Sequence, residues 1–249
     1  MPRATSVEDR TVPEDLLRLA INAKTAVERA RYARAGLALP AEDLEQDTQF
    51  LLLRQLYLAH VECRRFRKAT EVARQMASLD TTLKDLAHHD ASRALVALGD
   101  VADALEEQRL AARQAPARRR SFQLWSLATL LHFSGESEEA LRALERAERW
   151  AQRDLPLIRA HAAYIRLDRG DAPADLEATV AALMRAKCRE GYGQFVLGMI
   201  HHLMGDPRRA AMHLRAFLRR NALVDAAKAT TLREELRRAR TALAALASD

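Results

Sequence analysis

The sequence has few of the residues that interrupt or cross-link helices. Its 249 residues include only eight glycines, seven prolines and two cysteines, and aromatic residues make up 5% of the chain. Ala, Leu, Arg and Glu dominate instead, and these residues favour helices, whereas β-branched residues are sparse. The composition therefore predicts an all-α fold, and the length is sufficient for a substantial core.

Long apolar runs and cysteine motifs are also missing. No apolar run approaches the roughly 18–20 residues of a membrane span, and the first ten residues lack the apolar stretch of a signal peptide. Cys63 and Cys188 form no CxxC pair and no disulfide framework, which is typical of a reducing compartment. We expect a cytoplasmic protein without membrane contact, in which each cysteine is a small buried thiol on a helix.

Catalytic and cofactor-binding signatures are absent as well. The sequence has no GxxxxGK[ST] or GxGxxG loop, no GxSxG elbow and no nucleophile partner near either cysteine. The adjacent histidines His88-His89 and His201-His202 would point about 100° apart on a helix, and HExxH is missing. We predict a protein that is not an enzyme, with no catalytic residue, no metal, no cofactor and no small-molecule substrate.

The excess of basic charge is modest. The formal net charge is +6, and most arginines alternate with Glu and Asp at helical spacing, which is typical of solvated helix faces. The densest cluster, Arg118–Arg120, is predicted to lie in a loop next to Arg113. Nucleic-acid binding by these Arg-rich faces remains an alternative function, because aligned arginines can follow a phosphate backbone.

What the sequence does contain is a repeated turn. Gly99, Gly135, Gly170 and Gly205 are each followed by Asp or Glu and lie 36, 35 and 35 residues apart (135−99, 170−135, 205−170). A helical apolar pattern precedes and follows each turn. Three of the four units carry an alanine five residues after the glycine, at Ala104, Ala140 and Ala210. Small residues let helices approach closely, so this period predicts stacked helix pairs.

The pattern resembles the tetratricopeptide repeat, most closely over residues 85–116, 121–152 and 191–222. Leu197-Gly198 matches the family's Leu-Gly pair on a first helix, and Asp175 departs from the small residue expected after Gly170. The resemblance implies two antiparallel helices per roughly 34 residues, stacked into a right-handed superhelix. An ordinary helical bundle is the alternative all-α fold, although a bundle does not require turns at this period.

We predict a single repeat domain over residues 14–249, behind a disordered tail of residues 1–13. Its units are 14–40, 50–83, 85–118, 121–154, 156–189 and 191–222, followed by a polar capping helix at 223–247. In the second unit Arg64-Arg65 stands where the turn glycine would be. Thr25 to Glu28 has the pattern of a capping box that opens the second helix of the first unit.

The resemblance also implies a place for a partner, since the first helices of such pairs line the concave face. The core-facing positions of the best-formed unit are Leu124, Leu127, Ala128 and Leu131. The adjoining helical stripe carries six of the twelve aromatic residues (6 Phe, 2 Trp, 4 Tyr). The candidate groove residues are His89, Arg93, Phe122, Trp125, His132, Phe133, Tyr164, Tyr192, Phe195, Met199 and His202.

Aromatic residues and Met are enriched in interface cores, so this stripe predicts an apolar groove for a peptide or helix. The alternative is that a tightly wound array buries the stripe as core. The Lys and Asn clamp of repeats that bind the acidic tails of heat-shock chaperones is missing. We therefore expect an apolar ligand with at most one anionic anchor, at Arg93.

These features predict a non-enzymatic adaptor or scaffold that binds another protein. A narrower form is a chaperone for a secreted or assembled client protein. The last unit and the cap resemble C-terminal repeat segments of multidomain bacterial proteins, which implies protein interaction only. The sequence assigns neither the partner nor an oligomeric state.

Overall fold

The computed structural model of the chain describes residues 12–40, 42, 44–222 and 232–247. These residues form thirteen α-helices and, within those ranges, no strand. Helices that follow one another within Met1–Gly99 and within Asp100–Asp249 pack together, so the predicted all-α helical-repeat fold is confirmed. No helix in this part of the chain is long and apolar enough to cross a membrane. Residues 1–11 of the predicted tail and residues 223–231 of the predicted cap lie outside the described residues.

The chain divides into two compact units, Met1–Gly99 and Asp100–Asp249. The first unit contains α1 (Pro13–Asn22), α2 (Ala26–Leu37), α3 (Gln46–Glu62), α4 (Phe66–Ser78) and α5 (Lys84–Leu98). The second unit contains α6 (Val101–Gln114), α7 (Ala117–Phe133), α8 (Ser137–Glu148), α9 (Leu155–Asp168), α10 (Leu176–Arg185), α11 (Tyr192–Leu203), α12 (Pro207–Arg220) and α13 (Arg233–Ala245). The single repeat domain over 14–249 stays a prediction.

The turns within the helix pairs share a backbone conformation. The four repeat glycines have φ between 72° and 90°, in the left-handed region that a residue without Cβ adopts at little cost. Arg64 has φ 55° and occupies the same conformation in the turn between α3 and α4. The turn that sequence analysis assigned to Arg64-Arg65 therefore has the geometry of the glycine turns, with the steric cost of a side chain added.

Three local expectations have different outcomes. Thr25 precedes α2, and its hydroxyl accepts a hydrogen bond from the backbone N–H of Glu28 at 3.2 Å, as in a capping box. The loop predicted for Arg118–Arg120 was wrong, because α7 begins at Ala117 directly after Pro116, a residue suited to helix starts. The buried thiol predicted for Cys63 was also wrong, since this residue ends α3 and is exposed.

Small residues bring the paired helices close together. The repeat alanines Ala104, Ala140 and Ala210 are fully buried, and so are the predicted core positions of α7 from Leu124 to Leu131. A Cβ at Gly198 would lie 2.5 Å from the Cδ2 atom of Leu214, so α11 and α12 cross where no larger residue fits. The paired helices thus pack through small residues at these crossings.

We expect Arg64→Gly to raise the free energy of unfolding of the chain by about 1 kcal/mol, because glycine adopts positive φ without the side-chain penalty. The comparison is Gly135→Ala, where φ is +89° and no atom lies within 4 Å of the added Cβ. That variant should lose about 1 kcal/mol through backbone strain alone. Urea unfolding followed by circular dichroism measures both changes, and a destabilised Arg64→Gly variant would contradict the strain assigned to this turn.

Candidate functional site

In the second unit, α7, α9 and α11 bring most of the predicted stripe together. The ring centroid of Trp125 lies 4.7 Å from that of Tyr192, and Tyr192 lies 5.4 Å from Phe195. His132 lies 5.1 Å from Tyr164 and 5.4 Å from Phe133, within the range of favourable ring pairs. We call the following residues the aromatic cluster: Trp125, His132, Phe133, His161, Tyr164, Tyr192 and Phe195.

His161 is the member of the cluster that the stripe did not include. The indole Nε1–H of Trp125 donates a hydrogen bond to its Nδ1 atom at 3.0 Å, so the proton of the neutral imidazole resides on Nε2. The side chain is fully buried, and burial, together with the nearby His132, lowers its pKa to about 3. His161 Nε2 has no hydrogen-bond partner among the described residues.

A second polar pair joins α7 to α9. His132 Nε2 lies 3.0 Å from Asp168 Oδ2, and this hydrogen bond is the main reason that the pKa of Asp168 is lowered. His132 is buried, and its Nδ1 atom has no hydrogen-bond partner in the described part of the chain. Both this pair and the Trp125–His161 pair join residues 36 positions apart. Two residues that can form a hydrogen bond and lie one repeat length apart in the sequence are therefore the signal from which His161 could have been predicted.

The last helix packs on this cluster. Leu236, Ala239 and Ala242 of α13 are buried in the same hydrophobic core as Tyr164 and Phe195. Helix α13 also contacts α11 and α12. We call this surface, the side of α7, α9 and α11 that carries the aromatic cluster and contacts α13, the first-helix face.

Arg238 extends the contact of α13 to α9 and α7. Its guanidinium lies 4.6 Å from the ring centroid of Phe133, donates a hydrogen bond to the Tyr164 hydroxyl at 3.2 Å and lies 3.6 Å from the Asp168 carboxylate. On its own helix it also pairs with Glu234 at 3.0 Å. Helix α13 thus contacts α7, α9, α11 and α12. A helix that only capped the end of the array would contact its nearest neighbour alone.

The structure places the other predicted groove residues as follows. Tyr164 and Phe195 are 0% exposed and Met199 is nearly so, so these three are core beneath α13. Phe122 is 45% exposed at the rim, with its ring centroid 6.2 Å from that of Trp125. The half-buried members are Trp125, Phe133 and Tyr192, and His202 is partly exposed on α11.

His89 and Arg93 belong to α5 of the first unit and are partly exposed. The same helix carries Asp90, whose carboxylate accepts a hydrogen bond from Arg54 Nε at 2.9 Å. Burial raises the pKa of Asp90, and the positive charge of Arg54 opposes that rise. The Tyr57 hydroxyl donates a hydrogen bond to the backbone carbonyl of Asp90 at 2.8 Å, which fixes α5 against α3.

Arginines line a second surface of the second unit. A cavity of about 360 Å³ lies between α6, α7 and α8 and is bordered by Arg113, Arg120, Arg146, Arg149 and Trp150. The guanidinium of Arg120 lies 4.6 Å from the Trp150 ring centroid and donates hydrogen bonds to the Ala115 carbonyl. Arg113 and Arg146 form no ion pair with any described residue, so this cavity carries uncompensated positive charge.

No protein-family model matches the sequence, and no curated protein matches it either. Among the described residues, no group of three or more His, Cys, Asp or Glu side chains is placed to hold a metal ion. The site is therefore interpreted from its geometry, which combines a buried aromatic floor, one acidic group at Asp168 and a helix that covers both.

The buried imidazole of His161 predicts a pH dependence. Its pKa of about 3 in the folded state lies below the ordinary value of 6.5, so the unfolded chain binds a proton that the folded chain excludes. The stabilising contribution is complete above pH 6.5 and falls by about 1.4 kcal/mol per pH unit as the pH decreases toward 3. His161→Phe should therefore reduce the dependence of the free energy of unfolding on pH in this range, measured by urea unfolding at pH 4, 5, 6 and 8.

The control is Trp125→Phe, which removes the indole donor and keeps the buried imidazole, so the slope should persist. His213 contributes a similar slope over a shorter pH range in all three proteins, since burial lowers its pKa only to about 4. Equal slopes in the wild type and in His161→Phe would refute the assignment.

Proposed function

We propose that the chain is a non-enzymatic interaction module of the tetratricopeptide type, an adaptor or scaffold whose first-helix face binds an amphipathic helix of a partner protein. The observation that supports this proposal is the packing of α13. An amphipathic helix lies on the predicted partner stripe, with an apolar strip on the aromatic cluster and an arginine between Phe133 and Asp168. Helix-in-groove binding uses the same arrangement of anchors.

The chemistry of the face defines the ligand class. Its floor is aromatic and aliphatic, and such residues are enriched at the centres of protein interfaces. Asp168 on α9 gives the first-helix face a negative charge, and its side chain is 34% exposed. A matching ligand therefore carries a strip of leucine and small residues and one cation. A chaperone for a secreted or assembled client would use the same face in the same way.

Nucleic-acid binding is a second candidate, favoured by the arginine-lined cavity. Two of its four arginines have other roles, because Arg120 stacks on Trp150 and Arg149 pairs with Glu145. The remaining Arg113 and Arg146 supply few phosphate contacts, and each contact contributes to an affinity that weakens with salt. We rank this candidate second for that reason.

The proposal is tested by photo-crosslinking in the source cell, with p-benzoylphenylalanine at position 122 of the full chain. Phe122 is the exposed rim residue of the face, so we expect one partner protein to crosslink there through an amphipathic helical segment. Position 150 is the matched control, because Trp150 is 42% exposed and borders the arginine-lined cavity.

The expected result is a crosslinked partner at position 122 that is absent at position 150, identified by mass spectrometry of the joined peptides. Identical crosslinks at the two positions would exclude the first-helix face as the specific surface. Nucleic acid crosslinked at position 150 alone would favour the second candidate.

A further inference from the structure

We propose that α13 is an internal occupant of the first-helix face, and that a partner helix of the same chemistry binds by replacing it. This inference rests on the proposed function and adds two points to it. The partner segment has the residue pattern of α13, and the chain restricts its own binding until α13 leaves.

The residue pattern of α13 is that of a ligand helix laid on a groove. Its buried positions are Glu235, Leu236, Ala239 and Ala242, which form one strip of an α-helix. The opposite side, with Arg237 and Arg240, is exposed. Glu235 lies next to the Tyr192 hydroxyl, and burial of Tyr192, together with the charge of Glu235, raises the pKa of that phenol. One face of α13 thus provides every contact with the cluster.

The contacts that hold α13 are limited. Two of its three buried apolar residues are alanines, which offer little surface to an aromatic floor. The ion pairs of Arg238 involve Asp168 and Glu234, whose side chains are each 34% exposed, and partly solvated ion pairs contribute little. Leu232 and Leu243, at the two ends of this strip, are only partly buried, so a partner helix whose apolar residues cover the floor more fully would gain apolar contact.

The polar atoms of the cluster are also not fully satisfied while α13 is in place. His132 Nδ1 and His161 Nε2 are buried and have no hydrogen-bond partner among the described residues. Leaving buried polar atoms unpaired is unfavourable, so a partner helix that carries a hydrogen-bonding group for either atom would gain an interaction that α13 does not make. That condition is expected of an occupant that can be exchanged.

Covalent attachment explains how such an occupant still excludes a free helix. Helix α12 ends at Arg220 and α13 begins at Arg233, so a short stretch of chain joins the two helices. A short tether holds a ligand at an effective concentration of about 1 mM. If a free helix binds the empty face with a Kd of about 10 μM, the tethered α13 weakens its binding by about a hundredfold.

The test uses a fluorescein-labelled peptide with the sequence of residues 229–249 and three full-length proteins. These are the wild type, a release variant with Leu236→Asp and Ala239→Asp, and a control with Thr241→Asp and Ala245→Asp. The control adds the same two charges to exposed positions of the same helix. Fluorescence anisotropy should show the peptide binding the release variant at least tenfold more tightly than the wild type or the control.

A peptide with Arg238→Glu should bind the release variant several-fold more weakly, because it loses the cation beside Phe133 and Asp168 and places a carboxylate there. Equal affinity of the first peptide for all three proteins would overturn the proposal. So would a release variant that keeps its circular dichroism spectrum and does not bind the peptide. A wild-type dimer that the peptide dissociates would also overturn it, since α13 would then occupy the face of a second copy.

If the release variant does not fold, full-length Arg238→Ala replaces it, and an affinity of the peptide for this variant equal to its affinity for the wild type would overturn the proposal. The milder variant should bind the peptide several-fold more tightly than the wild type. If the partner crosslinks at position 122 but these peptide tests fail, only the exchange of α13 is rejected and the proposed function stands. Failure of that crosslinking would reject the proposed function.

Discussion

The tight reversal between paired helices is the constraint on which the rest of the structure depends. A residue with positive φ makes this reversal, whether it is Gly135 or, with strain, Arg64. The reversal sets two helices against each other at close range, which the buried Ala140 and the crossing at Gly198 permit. Small residues pack these crossings, and the aromatic cluster lies on the first helices α7, α9 and α11.

The polar interactions between successive first helices follow from the same stacking. Trp125–His161 and His132–Asp168 in the second unit and Arg54–Asp90 in the first unit each join residues 36 positions apart. A partner one repeat away on the neighbouring first helix gives each buried polar group a hydrogen bond, which the interior requires. These pairs fix the register of neighbouring helices, whereas apolar contacts between them are less directional.

The position of α13 connects the fold to the proposed function. A first-helix face with an aromatic floor is a large apolar surface, and such surfaces are rarely left in contact with water. Helix α13 covers it through Leu236 and two alanines and places Arg238 against Phe133. The face therefore holds an amphipathic helix of the chain itself, which covers the apolar surface on which the proposed function rests.

Sequence alone determined the helix pairs, the turn positions and the core of α7 from Leu124 to Leu131, because local periodicity and backbone preference encode these features. It also identified the residues of the aromatic cluster except His161, which lies one position off the stripe. Only the tertiary structure decided which of them are covered. Tyr164 is buried by contacts that include Arg238, 74 residues away, and no period in the sequence links two residues whose contact depends on where the final helix packs.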